Sequence, residues 1–451
     1  MTIINSLQKR IFRLNYLLKN KGKNWRLYHE QLGNQYKPID ELEKIQLENL
    51  KKIVKHAYDY VPFYKRLYDK AGIKPGEIRS LTDINKLPVI TKADLKKVKL
   101  EDIIAKNISK DRWFRCTTSG STGEPFMVIS DRDTLPVEHA AWLRELSVMG
   151  YKIGDRIAKI RAHEVIKEGK FSRLVNRNLF VKCIDMEQET EKHIEVLKKF
   201  RPDIIETYCS TAFHIAKYLV QSNDSIKIKG IQIIGTHLSE EQKSIMRKAF
   251  CNARICLDYG AAEIMRVAYQ CELEQGYHID TTRFVIELVR NGKPAEQGQE
   301  GEMVVTNLEN YAMPFIRYRI KDSAVFTSKK CKCGRSFPLL KDIKGRLVDN
   351  LVTPSGKIIR IGLFMAVFSD EHEYVDKFQV IKENQTQVLV KIQPTRRMTR
   401  KKLQEIKNRI KEKFGDELEV KVKLAKKIPL AQSGKAILIK NKSTYNLGGF
   451  D

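Results

Sequence analysis

Between positions 42 and 58, Leu42, Ile45, Leu50, Ile53, Val54 and Tyr58 return at helical intervals, and the pattern ends at Val61 and Pro62. Residues 81–92 read as a short helix followed by an extended stretch at Pro88. Farther along, helical patterns alternate with short apolar runs at 156–160, 231–234 and 253–257, which predicts crossover units and a largely parallel sheet. The region 301–318 is strand-rich, with strands expected at 302–306 and 315–318. After Gly345 and Arg346 the character changes. Residues 378–382 and 388–392 read as paired strands around a polar turn. Residues 399–414 read as an amphipathic helix with Leu403, Ile406, Ile410 and Phe414 on one face, ended by Gly415. Leu418, Val420, Val422 and Leu424 then alternate as a further strand. The pattern therefore predicts a large α/β body, residues 1–345, and a small α+β domain, residues 346–451, joined at a Gly345–Arg346 hinge.

Composition narrows the class. With 451 residues, 42% hydrophobic, 24 Gly and 13 Pro, the chain is long enough for two or three ordinary cores and has no collagen-like, coiled-coil or disordered bias. It contains no apolar run of about 18 residues, and its start lacks the apolar core of a secretory signal, so a cytoplasmic protein is expected. A net charge of +28 invites a nucleic-acid reading, but the lysines are spread along the whole chain without interleaved stacking aromatics, and specific nucleic-acid binding is not expected. Near the N-terminus, Ile4, Leu7, Ile11, Leu14 and Leu18 sit at helical spacing among Lys9, Arg10, Arg13 and Lys19. Such a helix either docks on its own domain or makes weak contact with an anionic membrane surface.

Two features carry chemistry. Residues 117–125 place hydroxyls and glycines in a turn able to surround phosphate oxygens, yet Glu124 follows Gly123 where a Walker loop needs lysine, so an ordinary P-loop is excluded. Taken alone, such a segment is more often a plain surface turn. Of the eight cysteines, Cys331 and Cys333 form a tight Cys-x-Cys turn. Upstream, Cys271 and His278 flank Gly276, which permits a chain reversal. Together they form a Cys₃His set suited to a closed, structural tetrahedral Zn²⁺ site, the alternative being unpaired core thiols.

Several motifs in order then agree with one family. Residues 117–125, Tyr259 to Glu263, Tyr318 to Asp322, Gly345 with Arg346, and Ser433 to Lys435 resemble the adenylate-forming superfamily of acyl-CoA synthetases, adenylation domains and luciferases. Within it, residues 56–64, 87–92 and 310–318 resemble the phenylacetate-coenzyme A ligase branch, with its CapK-like relatives associated with capsular polysaccharide. The resemblance implies a large multi-subdomain N-terminal domain, a small mobile C-terminal domain, and ATP-dependent formation of an acyl adenylate that coenzyme A then attacks. It implies that Thr117, Thr118, Ser119, Gly120, Ser121, Thr122 and Gly123 hold the β- and γ-phosphates and that Glu263 takes part in Mg²⁺ coordination. Tyr259 and Gly260 would border adenine and acyl group, and Asp322 would bind both ribose hydroxyls. Arg346 would support the nucleotide, and Lys435 would neutralise charge between carboxylate and α-phosphate. Tyr208, Ser210 and Ala261 would line the acyl pocket, the plain alternative for the first two being a strand end turning into a helix. Some members of the branch carry zinc on such Cys and His positions, which supports the Cys271, His278, Cys331 and Cys333 set.

Three positions depart from the family pattern: Val348 replaces a hinge aspartate, Thr236 stands where many relatives have glutamate, and Lys321 replaces the glycine that often precedes the ribose-binding aspartate. Adenylation with transfer to coenzyme A is the first expectation. Transfer to a sugar or lipid-linked acceptor in polysaccharide assembly is the second, and an idle nucleotide-binding scaffold is the third.

Overall fold

Pro62 divides the first long helical region in two. It has no backbone N–H to continue a helix but suits a first turn, so α1 (Lys23–Asn34) is followed by α2 (Ile39–Tyr60), an extended Val61, and α3 (Pro62–Lys70). The computed structural model describes residues 22–117, 126–161, 180–186, 188–234 and 238–346, then 351–352, 358–359, 367–368, 371, 374–384, 386–414, 418–428 and 439–441. The basic N-terminal helix, Thr118 to Gly123, Thr236, Val348, Gly415 and Lys435 lie outside these residues. Leu42, Leu50, Ile53 and Val54 form the buried stripe of α2, each contributing roughly 1.5–3 kcal/mol of burial. No helix among the described residues is long and apolar enough to cross a membrane.

The chain divides into two compact units, residues 1–320 with 324–344, and residues 321–323 with 345–451. The first opens with a hairpin of β1 (Trp113–Thr117) and β2 (Met127–Asp131), then helix α4 (Leu135–Ser147). A parallel series follows: β3 (Ile157–Arg161), β4 (Val181–Asp185), α5 (Thr190–Phe200), β5 (Ile204–Thr207), α6 (Cys209–Gln221), β6 (Gly230–Ile234), α7 (Glu240–Ala249) and β7 (Arg254–Ala261). These strands pair in parallel in the order β4, β3, β5, β6, β7, as the alternation of elements predicts. Beyond β7 the same sheet turns antiparallel. The connections there are too short for a crossover, and β8 (Met265–Gln270) and β9 (Tyr277–Ile279) fold straight back. The sheet is completed by β10 (Phe284–Arg290), β11 (Lys293–Pro294), β12 (Glu300–Asn307), β13 (Tyr318–Thr327) and β14 (Leu339–Arg346).

The strand expected at 315–318 begins only at Tyr318. Arg317 takes a left-handed φ of 49°, and its N–H donates to Thr306 Oγ1 (2.9 Å) rather than to a strand partner. Its guanidinium donates to the Leu87 and Asn85 carbonyls and to Glu287. Around it, the segments that carry the family resemblance meet one another. The Tyr64 hydroxyl donates to the Pro314 carbonyl (2.9 Å) and accepts from the Ile316 N–H (3.0 Å), His56 Nε2 lies 2.9 Å from the Tyr311 carbonyl, and Ile90 bridges in parallel to Tyr318. Lys321, where the family pattern favours glycine, has a φ of 70°; the backbone there has the shape glycine adopts most easily.

The second unit contains two short strands, β15 (Leu351–Val352) and β16 (Ile358–Ile359). Its main sheet comprises β17 (Val375–Lys382), β18 (Gln387–Pro394), β19 (Glu419–Leu424) and β20 (Ile439–Asn441) in the order β19, β18, β17, β20. Helix α8 (Arg400–Phe414) contributes Ile406 and Ile410 to a core with Val380, Val388, Val390 and Ile392. The expected turn is tied by Asn384, whose Oδ1 accepts from the N–H groups of Thr386 (3.0 Å) and Gln387 (2.8 Å).

Candidate functional site

In open α/β sheets the carboxyl ends of parallel strands are where ligands bind. Here β7 ends in Tyr259, Gly260 and Ala261, and the turn into β8 carries Ala262 and Glu263. The turn is unusually tight. A side chain on Gly260 would place Cβ 2.1 Å from the Met265 carbonyl oxygen, beside an irregularity in the β7–β8 register and a Met265 φ of 60°. Only glycine fits there. The result is a buried Glu263 carboxylate, 5% exposed, with the Tyr318 hydroxyl 3.5 Å from Oε1.

The hairpin reaches the same turn. Cys116 Sγ donates to the Ala262 carbonyl at 3.6 Å, so the strand that ends at Thr117, where the Ser/Thr/Gly segment begins, is anchored one residue from Glu263. Burial, and then the nearby Glu263 charge, push the Cys116 thiol up to about 11, keeping it a neutral donor. Thus Thr117, Tyr259, Gly260, Ala261 and Glu263 converge. Tyr208 and Ser210 sit at the end of β5 and in the first turn of α6, both half-buried, separated from β7 by β6. Asp322 is half-buried on β13 and belongs to the second unit, and Arg346 ends β14.

A charged network behind this edge was not foreseen from the sequence. Glu206, fully buried on β5, accepts from Arg161 Nη2 (2.7 Å), Trp142 Nε1 (2.6 Å) and Arg266 Nη2 (3.2 Å). Gln232 on β6 donates to Glu145 (3.0 Å), and Arg266 Nε lies 3.2 Å from Asp258. Burial alone would raise Glu206, but Lys159, Arg161 and Arg266 hold it well below the usual carboxylate range. The available signal was a glutamate in the apolar run Ile204, Ile205, Glu206, because a charge inside a buried strand must find partners.

The Cys₃His set also assembles. The ligand atoms of Cys271, His278, Cys331 and Cys333 all lie within 4.8 Å of one another, with Cys271 Sγ 3.6 Å from Cys331 Sγ and Cys333 Sγ 3.4 Å from His278 Nε2. Gly276, at φ 135°, makes the expected reversal, and a Cβ there would meet the Leu340 carbonyl at 2.6 Å. Two outer contacts fit a metal centre. His278 Nδ1 lies 3.2 Å from the Phe337 carbonyl, a bond that directs Nε2 inward, and the Leu273 N–H donates to Cys271 Sγ at 3.4 Å. Burial pushes Cys271 up to about 12 and His278 down to about 4. A divalent cation suits this donor set because it favours thiolate and neutral imidazole together. A surface cavity of about 660 Å³, rimmed by Lys329, Lys332 and Lys341, opens beside this cluster rather than at Glu263. The chemistry of the residues, not the depth of the concavity, marks the candidate active site.

This architecture is that of the adenylate-forming ligases. A solved 2-hydroxyisobutyryl-CoA ligase, in the postadenylation state in complex with R3-HIB-AMP, matches at a TM-score of 0.73 over 91% of each chain, with 20% identity. The chain is 31% identical over 333 residues to the phenylacetate-coenzyme A ligase of Aromatoleum evansii, covering 69% of this chain and 72% of that one. It belongs to the phenylacetate-coenzyme A ligase family. Residues 351–442 match the CapK C-terminal domain, and the protein CapK of Staphylococcus aureus is 22% identical over 427 residues, 90% of this chain and 91% of that protein.

Proposed function

We propose that this chain activates a small carboxylic acid with ATP to an acyl adenylate and then transfers the acyl group to coenzyme A. In the first half, a carboxylate oxygen bonds to the α-phosphorus as the bond to pyrophosphate breaks. In the second, the thiol sulfur bonds to the acyl carbon, AMP leaves, and the thiol proton passes to solvent. The observation that carries this reading is the anchoring of Cys116 to Ala262, which brings Thr117, where the Ser/Thr/Gly segment begins, to the buried Glu263. Mg²⁺, when bound, would offset charge on the phosphates. Glu263 is the residue to help hold it, being a buried carboxylate beside a hydroxyl. From the resemblance, Asp322 would hold the ribose and Lys435 the α-phosphate side. The expected result is acid-dependent pyrophosphate release in a panel of acids and, on adding coenzyme A, a thioester detected by mass. ATP turnover independent of any acid would overturn the reading.

The match of residues 351–442 to the CapK C-terminal domain favours a second reading, in which a sugar or lipid-linked hydroxyl or amine replaces the thiol. Pyrophosphate release with no thioester, and an ester or amide on such an acceptor, would select it.

The Cys₃His cluster is proposed as a structural Zn²⁺ site holding the segment that precedes β14. With four protein ligands it leaves no coordination position for substrate. Purified protein should contain about one zinc per chain by elemental analysis. Cys271→Ser should lose it and melt about 5 °C or more lower, since metal binding is coupled to folding. Metal-free wild type with an unchanged melting temperature would exclude the site.

A further inference from the structure

Lys159, Glu206 and Gln232 stand side by side on β3, β5 and β6, where the register pairs Lys159 with Glu206 and Glu206 with Gln232. One step nearer the carboxyl ends, Arg161 follows on β3 and Asp258 on β7. Arg161 lies over the Tyr208 ring at 5.5 Å, with Nη1 3.5 Å from its hydroxyl. Arg266 stands opposite Gly260, beside Ala261. The charged row therefore ends at the residues assigned to the acyl pocket.

The row has a gradient of exposure. The carboxyl side chains of Glu206, Glu145 and Asp258 are 0–3% exposed, whereas Arg161, Arg266 and Lys159 are 16%, 21% and 28% exposed. The open side of the network is cationic. Lys159 is the least satisfied member. Its nearest carboxylate oxygen, on Glu206, is 3.8 Å away, its ammonium sits 3.8 Å from the centre of the Trp142 ring, and among the described residues it has no hydrogen-bond acceptor. An ammonium has three donors to place. On the other side, Asp258 Oδ1 is buried without a partner.

Burial and the neighbouring Asp258 push Glu145 well above its ordinary value, against the pull of Arg266 and Arg144. Glu206 stays ionised, and Asp258 is pushed up to about 6, mainly by burial. Burial lowers Lys159, against the pull of Glu206.

We propose that the acid this protein activates carries a second anionic group, a further carboxylate on its tail, received by Lys159 and Arg161 while the reacting carboxylate points toward the Glu263 turn. This rests on the adenylation reading above and specifies its substrate class. An apolar tail in the same place would cover cationic groups without supplying an acceptor, and sites built around hydrogen-bonding groups reject analogues that lack the partner.

The test uses the full-length protein with ATP and Mg²⁺, measuring pyrophosphate release with short dicarboxylic acids, their monomethyl esters and phenylacetate. Each ester keeps the shape and reach of its diacid and removes the second charge. A diacid should exceed its ester at least tenfold in kcat/KM. Lys159→Met should bring that ratio close to one, with the KM for ATP unchanged. Esters or phenylacetate equal to or better than the diacids in wild type would overturn the inference while leaving adenylation standing. No pyrophosphate with any acid would overturn the adenylation reading, and this inference with it. Should Lys159→Met fail to fold, the wild-type comparison still decides.

Discussion

Glu263→Gln lowers acid-dependent pyrophosphate release at least a hundredfold while leaving the melting temperature within a degree or two. The expectation follows from the position of this carboxylate. It is 5% exposed, set by a β7–β8 turn that tolerates no side chain at Gly260, and adjacent to the Tyr318 hydroxyl. Glutamine has nearly the same shape, so the turn and its packing remain, and the negative charge alone is removed. Preorganised electrostatic groups at such sites are typically worth about 10²–10³ in rate. If Glu263 helps to hold Mg²⁺, the variant should also need a higher Mg²⁺ concentration for half-maximal release. Near-normal release with an unshifted Mg²⁺ dependence would remove Glu263 from the active site.

Arg144→Met destabilises the first unit by roughly 3–5 kcal/mol, the range for removing one partner of a buried ion pair. Arg144 and Asp280 are each 1% exposed, with Nη1 2.6 Å from Oδ2. The same guanidinium donates to Gln31 on α1 at 3.0 Å and lies over the Tyr269 and Phe337 rings. Methionine keeps the bulk and drops the charge. Burial alone would raise Asp280, but Arg144, then Arg283, outweigh it and hold it below the ordinary carboxylate value. In wild type, therefore, Asp280 contributes stability that is present above its unfolded pKa, about 3.9, and is lost as pH falls through the lower folded value. Without Arg144, burial gains weight, and the stability that Asp280 contributes above its unfolded pKa should shrink, although Arg283 and Thr282 remain beside it. Chemical denaturation of both proteins at pH 5 and 7 measures this. A penalty below about 1 kcal/mol would show that the pair behaves like a surface contact.

The stripe Leu42, Leu50, Ile53, Val54 was legible because helical burial has a period, and Pro62 was legible as a break because it lacks a donor. The parallel strands followed from alternation of elements. The antiparallel half of the sheet did not, because nothing local distinguishes an apolar strand that crosses over from one that folds back. Nor did Arg317, whose left-handed turn delays β13 and depends on Thr306, Glu287 and Leu87 arriving from elsewhere. At the site, Gly260 and Glu263 were readable through their motif, and Cys271, His278, Cys331 and Cys333 through residue type. The grouping of Lys159, Glu206 and Gln232 was hidden, since it is created by register between strands about 25 to 50 residues apart in the chain.

Glu206 accepts two guanidinium groups and an indole at once. Such sharing constrains how this pocket can evolve. Exchanging Glu206, Arg161 or Arg266 alone for a greasy side chain strands the others, so a lineage drifting toward oilier acids must alter position 206 and its guanidinium partners as a set, or pass through poorly folded intermediates. Paired or triple replacement, rather than stepwise change, is the route open to natural drift and to an engineer.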